Sequence, residues 1–137
     1  MNLIFDATFS DASVGHLRSF FQAHRVPRPV FRHINDLGAR DARDDVWIPR
    51  LLQEDCIVIS GDRGLHAPRL PAICREHQKT HIIISGTLQK ETEFVKLRAI
   101  VLLWPNIVRA VGYPKGTRFQ IHVIGEKHEH FGWTQKA

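Results

Sequence analysis

Two short runs of unbroken apolar sequence, Cys56-Ile57-Val58-Ile59-Ser60 and His81-Ile82-Ile83-Ile84-Ser85, constrain the fold of this chain most. A strand that faces water on one side alternates apolar and polar residues, whereas a parallel strand covered on both faces reads as a continuous hydrophobic run. The two runs therefore predict neighbouring strands of a parallel sheet. Both end in Ile-Ser-Gly, at Gly61 and Gly86, as strands opening into flexible turns do, although three shared residues are too few to define a repeat.

The remaining pattern alternates with them. Residues 2–5 read as a first strand, and 13–24 as a helix with Val14, Leu17 and Phe21 on one face, Phe20 widening it and Ser13 as N-cap. Pro27 and Pro29 break that helix before a short strand over 30–34 and a polar loop over 35–43 with room for one helical turn. Trp47, Ile48, Leu51 and Leu52 form a second helical face whose start Asp44 and Asp45 would cap, with Pro49 confined near the first turn. A third helix over 70–78 carries Pro71 near its first position. A fourth over 88–103 has Phe94, Leu97, Val101 and Trp104 at helical spacing, with Pro105 breaking it. Residues 117–124 alternate Phe119, Ile121 and Val123 as an edge strand does. This order predicts an α/β fold, a three-layer α/β/α sandwich with a mostly parallel sheet of about five strands. The expected domain is 1–125, followed by a polar, loosely held tail over 126–137.

No stretch of the sequence is long and apolar enough for a membrane span, and the amino terminus lacks a basic-then-apolar secretory segment, so the expected setting is cytoplasmic. Cys56 and Cys74 lie inside strand and helix patterns with no zinc spacing, and read as packing thiols. Charge is segregated. Residues 1–62 hold seven Arg against nine acids, and residues 63–137 hold twelve Lys and Arg against five Glu. An acidic pocket beside a basic surface suits a phosphodiester partner.

All eight aspartates lie at or before Asp62. Asp6 follows the run Leu3-Ile4-Phe5, and Asp62 follows the run ending at Ser60 after one glycine, so both emerge at the carboxyl ends of strands, where open parallel sheets bind ligands. Carboxylates gathered there repel one another unless a cation compensates, and hard oxygen donors of this kind hold Mg²⁺ or Mn²⁺.

Leu3-Ile4-Phe5-Asp6, Asp36-Leu37-Gly38, Asp44-Asp45-Val46-Trp47-Ile48 and Ile57-Val58-Ile59-Ser60-Gly61-Asp62 together resemble, in order and spacing, the compact PIN-like group of the PIN-domain nucleases. The resemblance covers about the first half of the chain. It implies a Mg²⁺- or Mn²⁺-dependent endoribonuclease, often the toxin of a bacterial toxin–antitoxin pair. It also implies metal ligation by Asp6, Asp62 and Asp44 or Asp45, with Ser60 orienting a carboxylate or bound water. Arg63, Arg40, Arg43 and Lys90 are the expected RNA contacts, and Asp11 is read as a turn or cap residue. The expected partners are an RNA substrate and an antitoxin protein, with a homodimer also compatible. The chain departs from the group in having no Glu among these acids and in carrying Gly64-Leu65 where an acid and an aromatic are common. That departure leaves a non-catalytic RNA- or partner-binding module as the alternative. A phosphatase with a nucleophilic aspartate would need Asp-x-Asp where this chain has Asp6-Ala7-Thr8, and His122, His128 and His130 lack the spacing of a zinc site.

Overall fold

A computed structural model describes residues 1–22, 29–39, 42–51, 54–61, 69–125 and 130–136. Its strands are β1 (Asn2–Phe5), β2 (Val30–His33), β3 (Ile57–Ser60), β4 (Thr80–Ile84), β5 (Arg118–Ile124) and β6 (His130–Lys136). They form one six-stranded sheet in the order β2-β1-β3-β4-β5-β6. All pairs are parallel except β5 with β6. The helices are α1 (Asp11–Phe21), α2 (Asp44–Trp47), α3 (Leu70–Glu76), α4 (Gly86–Gln89), α5 (Glu93–Leu102) and α6 (Trp104–Ala110).

Two apolar clusters sandwich the sheet. On one face Leu3, Phe5, Ile57, Ile59, Ile82 and Ile84 pack with Val14 and Leu17 of α1, Ala99 and Ile100 of α5, and Ile107 of α6. On the other, Ile4 and Val58 pack with Trp47, Ile48, Leu70, Ile73 and Cys74. Burial on both sides is what the unbroken runs required, and β3 and β4 are buried throughout. Both cysteines are buried thiols outside any disulfide, and burial pushes the Cys56 thiol up to about 11.

The connections follow one rule with one exception. The β1–β2 crossover moves in one direction along the sheet through α1. The crossovers from β2 to β3 and from β3 to β4 move the other way on the opposite face, and so share its hand. The β4–β5 crossover moves the second way but on the face of α1, which gives it the opposite hand, a rare arrangement. Its consequence is local: α5 packs against α1 instead of extending the far layer.

Several elements differ from the sequence expectation. Ser10, not Ser13, caps α1, its Oγ accepting from Ser13 N at 3.1 Å, and Ser13 is buried. Arg43 occupies the N-cap position of α2, with Asp44 and Asp45 in the first turn. Pro49 is accommodated because α2 lasts one turn and passes into a 3₁₀ turn, Ile48–Leu51. The expected 88–103 helix is divided between α4 and α5, and α6 begins just beyond it. Thr92 caps α5, and Pro105, rather than ending a helix, lies in the first turn of α6. The buried side of α5 is Lys96, Ala99 and Ile100, so Phe94 from the expected stripe is 74% exposed.

The expected loose tail is instead strand β6 over its described residues, so β5 is not an edge. Phe131 and Trp133 pack against the core, and Trp133 stacks on Phe119 with ring centroids 4.8 Å apart. Gly132 lies under the His122 ring, where a Cβ would meet Nε2 at 2.3 Å. Trp133→Ala should destabilise the fold by about 2 kcal/mol in chemical unfolding. An unchanged unfolding midpoint would mean that β6 does not dock in solution.

Candidate functional site

The carboxyl edge of the sheet is organised by the pairing of β1 with β3. Their register sets Phe5 against Ile59, and the amide of Asp6 continues the ladder to the Ile59 carbonyl at 3.2 Å. Asp6 is thus held beside the end of β3, with 6% of its surface exposed. Its Oδ1 accepts from the Thr8 amide at 3.0 Å and from the Thr8 hydroxyl. That same hydroxyl oxygen accepts from the Gly61 amide at 2.8 Å. The turn after β1 and the turn after β3 are therefore stitched together through one threonine. Gly61 is the residue before Asp62, whose own structure lies outside the described residues.

Asp44 and Asp45, adjacent in sequence, have different surroundings. The Trp47 indole N–H donates to Asp44 Oδ1 at 2.8 Å, which orients that carboxylate against the protein. Asp45 is exposed and pairs with Arg43 through contacts of 3.1 and 3.2 Å. The chain enters α2 from the carboxyl end of β2, the edge that also carries Asp6. Asp11 sits in the first turn of α1, within reach of Asn35 and His33.

Ser60 is fully buried and its hydroxyl is paired with His81 Nε2 at 2.7 Å. Burial, reinforced by the charge of Arg118, pushes the His81 imidazole down from an ordinary 6.5 to about 3, so it is neutral at physiological pH. Among the RNA contacts expected from sequence, Arg43 and Lys90 are exposed, and Arg40 and Arg63 lie outside the described residues. Among the described residues no three His, Cys, Asp or Glu side chains gather in a metal-binding group, and His128 lies outside those residues.

Sequence reasoning passed over a second polar unit at the same edge. Lys96 is 3% exposed, and its ammonium donates to the Thr8 carbonyl at 3.3 Å and pairs with Glu93 at 2.9 Å. It also lies 4.9 Å from the centroid of the Phe9 ring. Glu93 further accepts from the Ser13 hydroxyl. Burial opposes ionisation of Glu93, yet the Ser13 hydrogen bond and the Lys96 ammonium together hold its carboxyl below the usual range. A Glu is therefore tied to the Asp6 turn, from the far half of the chain, through Lys96 and Thr8. No sequence signal marked it, because the stripe Phe94, Leu97 and Val101 put Lys96 off the expected inward side. Gln89 adds a contact from its Nε2 to the Thr8 carbonyl at 3.4 Å. His33 closes the rim: its Nδ1 accepts from the Asn35 amide, so Nε2 donates to the Phe9 carbonyl at 2.7 Å.

Compared with known protein families, with curated proteins and with solved structures, the chain matches none. Its chemistry therefore has to be read from its own residues. The edge offers a buried, hydrogen-bonded carboxylate, an adjoining strand end that leads into Asp62, an oriented Asp44, and an ion pair, buried at Lys96, that braces the Thr8 turn.

Lys96→Met should lower stability by about 1–3 kcal/mol, less than the loss for a fully buried pair because Glu93 is only half-buried. Adding Glu93→Gln should recover part of the loss, and additive losses in the double-mutant cycle would contradict the coupling. For His81, the unfolded chain binds a proton that the folded chain refuses between pH 6.5 and about 3. Stability from this group is thus complete above pH 6.5 and falls as the solution is acidified through that window. The melting temperature of His81→Gln should fall less than that of the parent between pH 7 and pH 5. Parallel declines would contradict the burial of a neutral imidazole.

Proposed function

We propose that this chain is a PIN-like, divalent-metal-dependent endoribonuclease that acts as the toxin of a toxin–antitoxin pair. The observation that carries the reading is the stitch from Asp6 through Thr8 to Gly61, which ties the two acid-bearing strand ends together at one sheet edge. Hard carboxylate oxygens suit Mg²⁺ or Mn²⁺. Asp6 and Asp62 would hold the ion. The third donor would be Asp44 rather than Asp45, because the Trp47 indole N–H holds the Asp44 carboxylate in place while Asp45 is exposed. A bound ion would supply Lewis-acid stabilisation of the phosphate and a more acidic water.

The chain's own residues supply the rest. Thr8 fixes the rotamer of Asp6 through two hydrogen bonds, and Trp47 fixes that of Asp44. Lys96 and Gln89 brace the Thr8 carbonyl. Ser60, paired with the neutral His81, would hold the end of β3 in register beneath Gly61 and so help to place the carboxylate that follows. Lys90 offers an exposed cation to the phosphate backbone, Arg43 would have to exchange its pairing with Asp45 to do so, and Arg63 and Arg40 would add to them. Among the described residues no helix is long and apolar enough to cross a membrane. A basic chain of net charge +5 is matched to a polyanionic substrate, and an antitoxin would act by covering the acidic edge.

The test incubates purified protein with mixed RNA in Mn²⁺, Mg²⁺ or EDTA, beside Asp6→Asn and Asp62→Asn variants of verified fold. Cleavage should require metal and fall by about a hundredfold or more in each variant. Equal cleavage in every lane would overturn the assignment. RNA binding that survives EDTA with no cleavage at any metal concentration would favour the non-catalytic binding module.

A further inference from the structure

The stripe Phe94, Leu97 and Val101 has the spacing of an inward helix face, yet the core takes the other side of α5. Phe94 is exposed, and Leu97 and Val101 are only partly buried. They form one wall of a groove of about 530 Å³ whose other wall is Leu17 and Phe20 of α1. Phe20 is exposed as well, and so is Leu102, one residue beyond Val101. A contiguous apolar patch rimmed by polar groups marks a place where another surface docks. Here the rim carries His16, Glu93 and Arg98.

The rim charges decide what can dock. Apolar residues three and then four apart form the seam of a two-stranded coil, and the residues flanking that seam pair between helices and set their orientation. At about 100° per residue, Glu93 lies roughly 70° to one side of the stripe's midline and Arg98 roughly 70° to the other. Arg98 is exposed and has no carboxylate partner among the described residues. Glu93 is engaged by Lys96 and Ser13, but its side chain is 43% exposed and a carboxylate has room for a further donor. Two copies can lay α5 on α5 about a two-fold axis that runs along the helices or across them. An axis across them would set like flanks together, Glu93 on Glu93 and Arg98 on Arg98. An axis along them sets opposite flanks together and forms two Glu93–Arg98 pairs, so the patch is self-complementary in that orientation.

We infer that this face docks a second copy of the chain, with the two α5 helices side by side and parallel. Phe94, Leu97 and Val101 each pack against the same residue of the partner, and Glu93 meets the partner's Arg98 on both sides of the seam. The Ser13 contact puts α1 on the Glu93 flank, and Leu102 follows Arg98 by one turn on the other. The same axis therefore lays the partner's Leu102 against Phe20, which covers the remaining exposed side chains of the patch. Two short helices present fewer side chains than the roughly 20–30 residues per side of a stable interface. The dimer is accordingly a weak one that forms in the micromolar range or above. It needs neither metal nor RNA, so it stands or falls apart from the ribonuclease reading.

The experiment is sedimentation equilibrium of the full-length protein in EDTA, from micromolar to submillimolar concentration. The parent should rise from the mass of one chain toward that of two. Phe94→Asp should remain a monomer throughout, with an unchanged melting temperature at low concentration because the side chain it replaces is exposed. Arg98→Glu should weaken association at least about tenfold, since it opposes Glu93 across the seam at two places. Orientation is read by mild oxidation of Val101→Cys, the native Cys56 and Cys74 being buried. Parallel helices bring the two introduced thiols within the reach of a disulfide, about 7 Å or less between Cα atoms, so a crosslinked dimer should form. Antiparallel helices crossing at the middle of the stripe would hold them beyond that reach. A parent that stays monomeric at every concentration overturns the inference and assigns the stripe to a different protein. A dimer that survives Phe94→Asp, or that forms without the Val101→Cys crosslink, overturns it by placing the contact elsewhere or the helices antiparallel.

Discussion

The pairing of β1 with β3 is the contact on which the remaining structure depends. Each strand is covered from both sides: Ile4 and Val58 by one apolar layer, Leu3, Phe5, Ile57 and Ile59 by the other. A slip of one residue would exchange every inward side chain with its neighbour and expose Phe5 or Ile59 to the wrong layer, so burial on two faces fixes the register tightly. That register, Phe5 against Ile59, decides where the carboxylate of Asp6 begins, because Asp6 is the next residue and its amide completes the ladder. The geometry of the candidate site is a consequence of hydrophobic packing several ångströms beneath it.

The second determinant is the unusual course between β4 and β5. A crossover of the common hand would carry α5 to the opposite layer, away from α1. On the face it occupies, α5 brings Lys96 and Glu93 against the first turn of α1 and the Thr8 turn. Burying an ammonium group is unfavourable unless it is paired and hydrogen-bonded. Lys96 meets that condition through Glu93, the Thr8 carbonyl and the Phe9 ring. The turn that presents Asp6 is thereby fixed from two directions, by β3 through Gly61 and by α5 through Lys96.

Much of this was legible in the sequence where one physical cause dominates. Continuous apolar runs marked β3 and β4, and period-three spacing marked the face of α1 formed by Val14, Leu17 and Phe21. Asp6 was recognisable as a strand-end acid for the same reason. The failures lie where two causes compete. The stripe Phe94, Leu97, Val101 promised a buried face, but the small Ala99 lets α5 approach closely on its other side and leaves Phe94 in water. The segment that contains β6 is too polar to announce itself, since only Phe131 and Trp133 carry its apolar alternation and Gly132 interrupts it. Neither Glu93 nor Lys96 could be joined to Asp6 from sequence, because their meeting depends on the hand of a crossover that local patterns do not encode.

The central claim is that carboxylates delivered from the ends of β1 and β3 share one cation. Calorimetric titration of Mn²⁺ into metal-free protein tests it most directly, comparing the parent chain with Asp6→Asn and Asp62→Asn. The account predicts saturable binding in the parent that either substitution alone removes. Identical isotherms for all three proteins would contradict it.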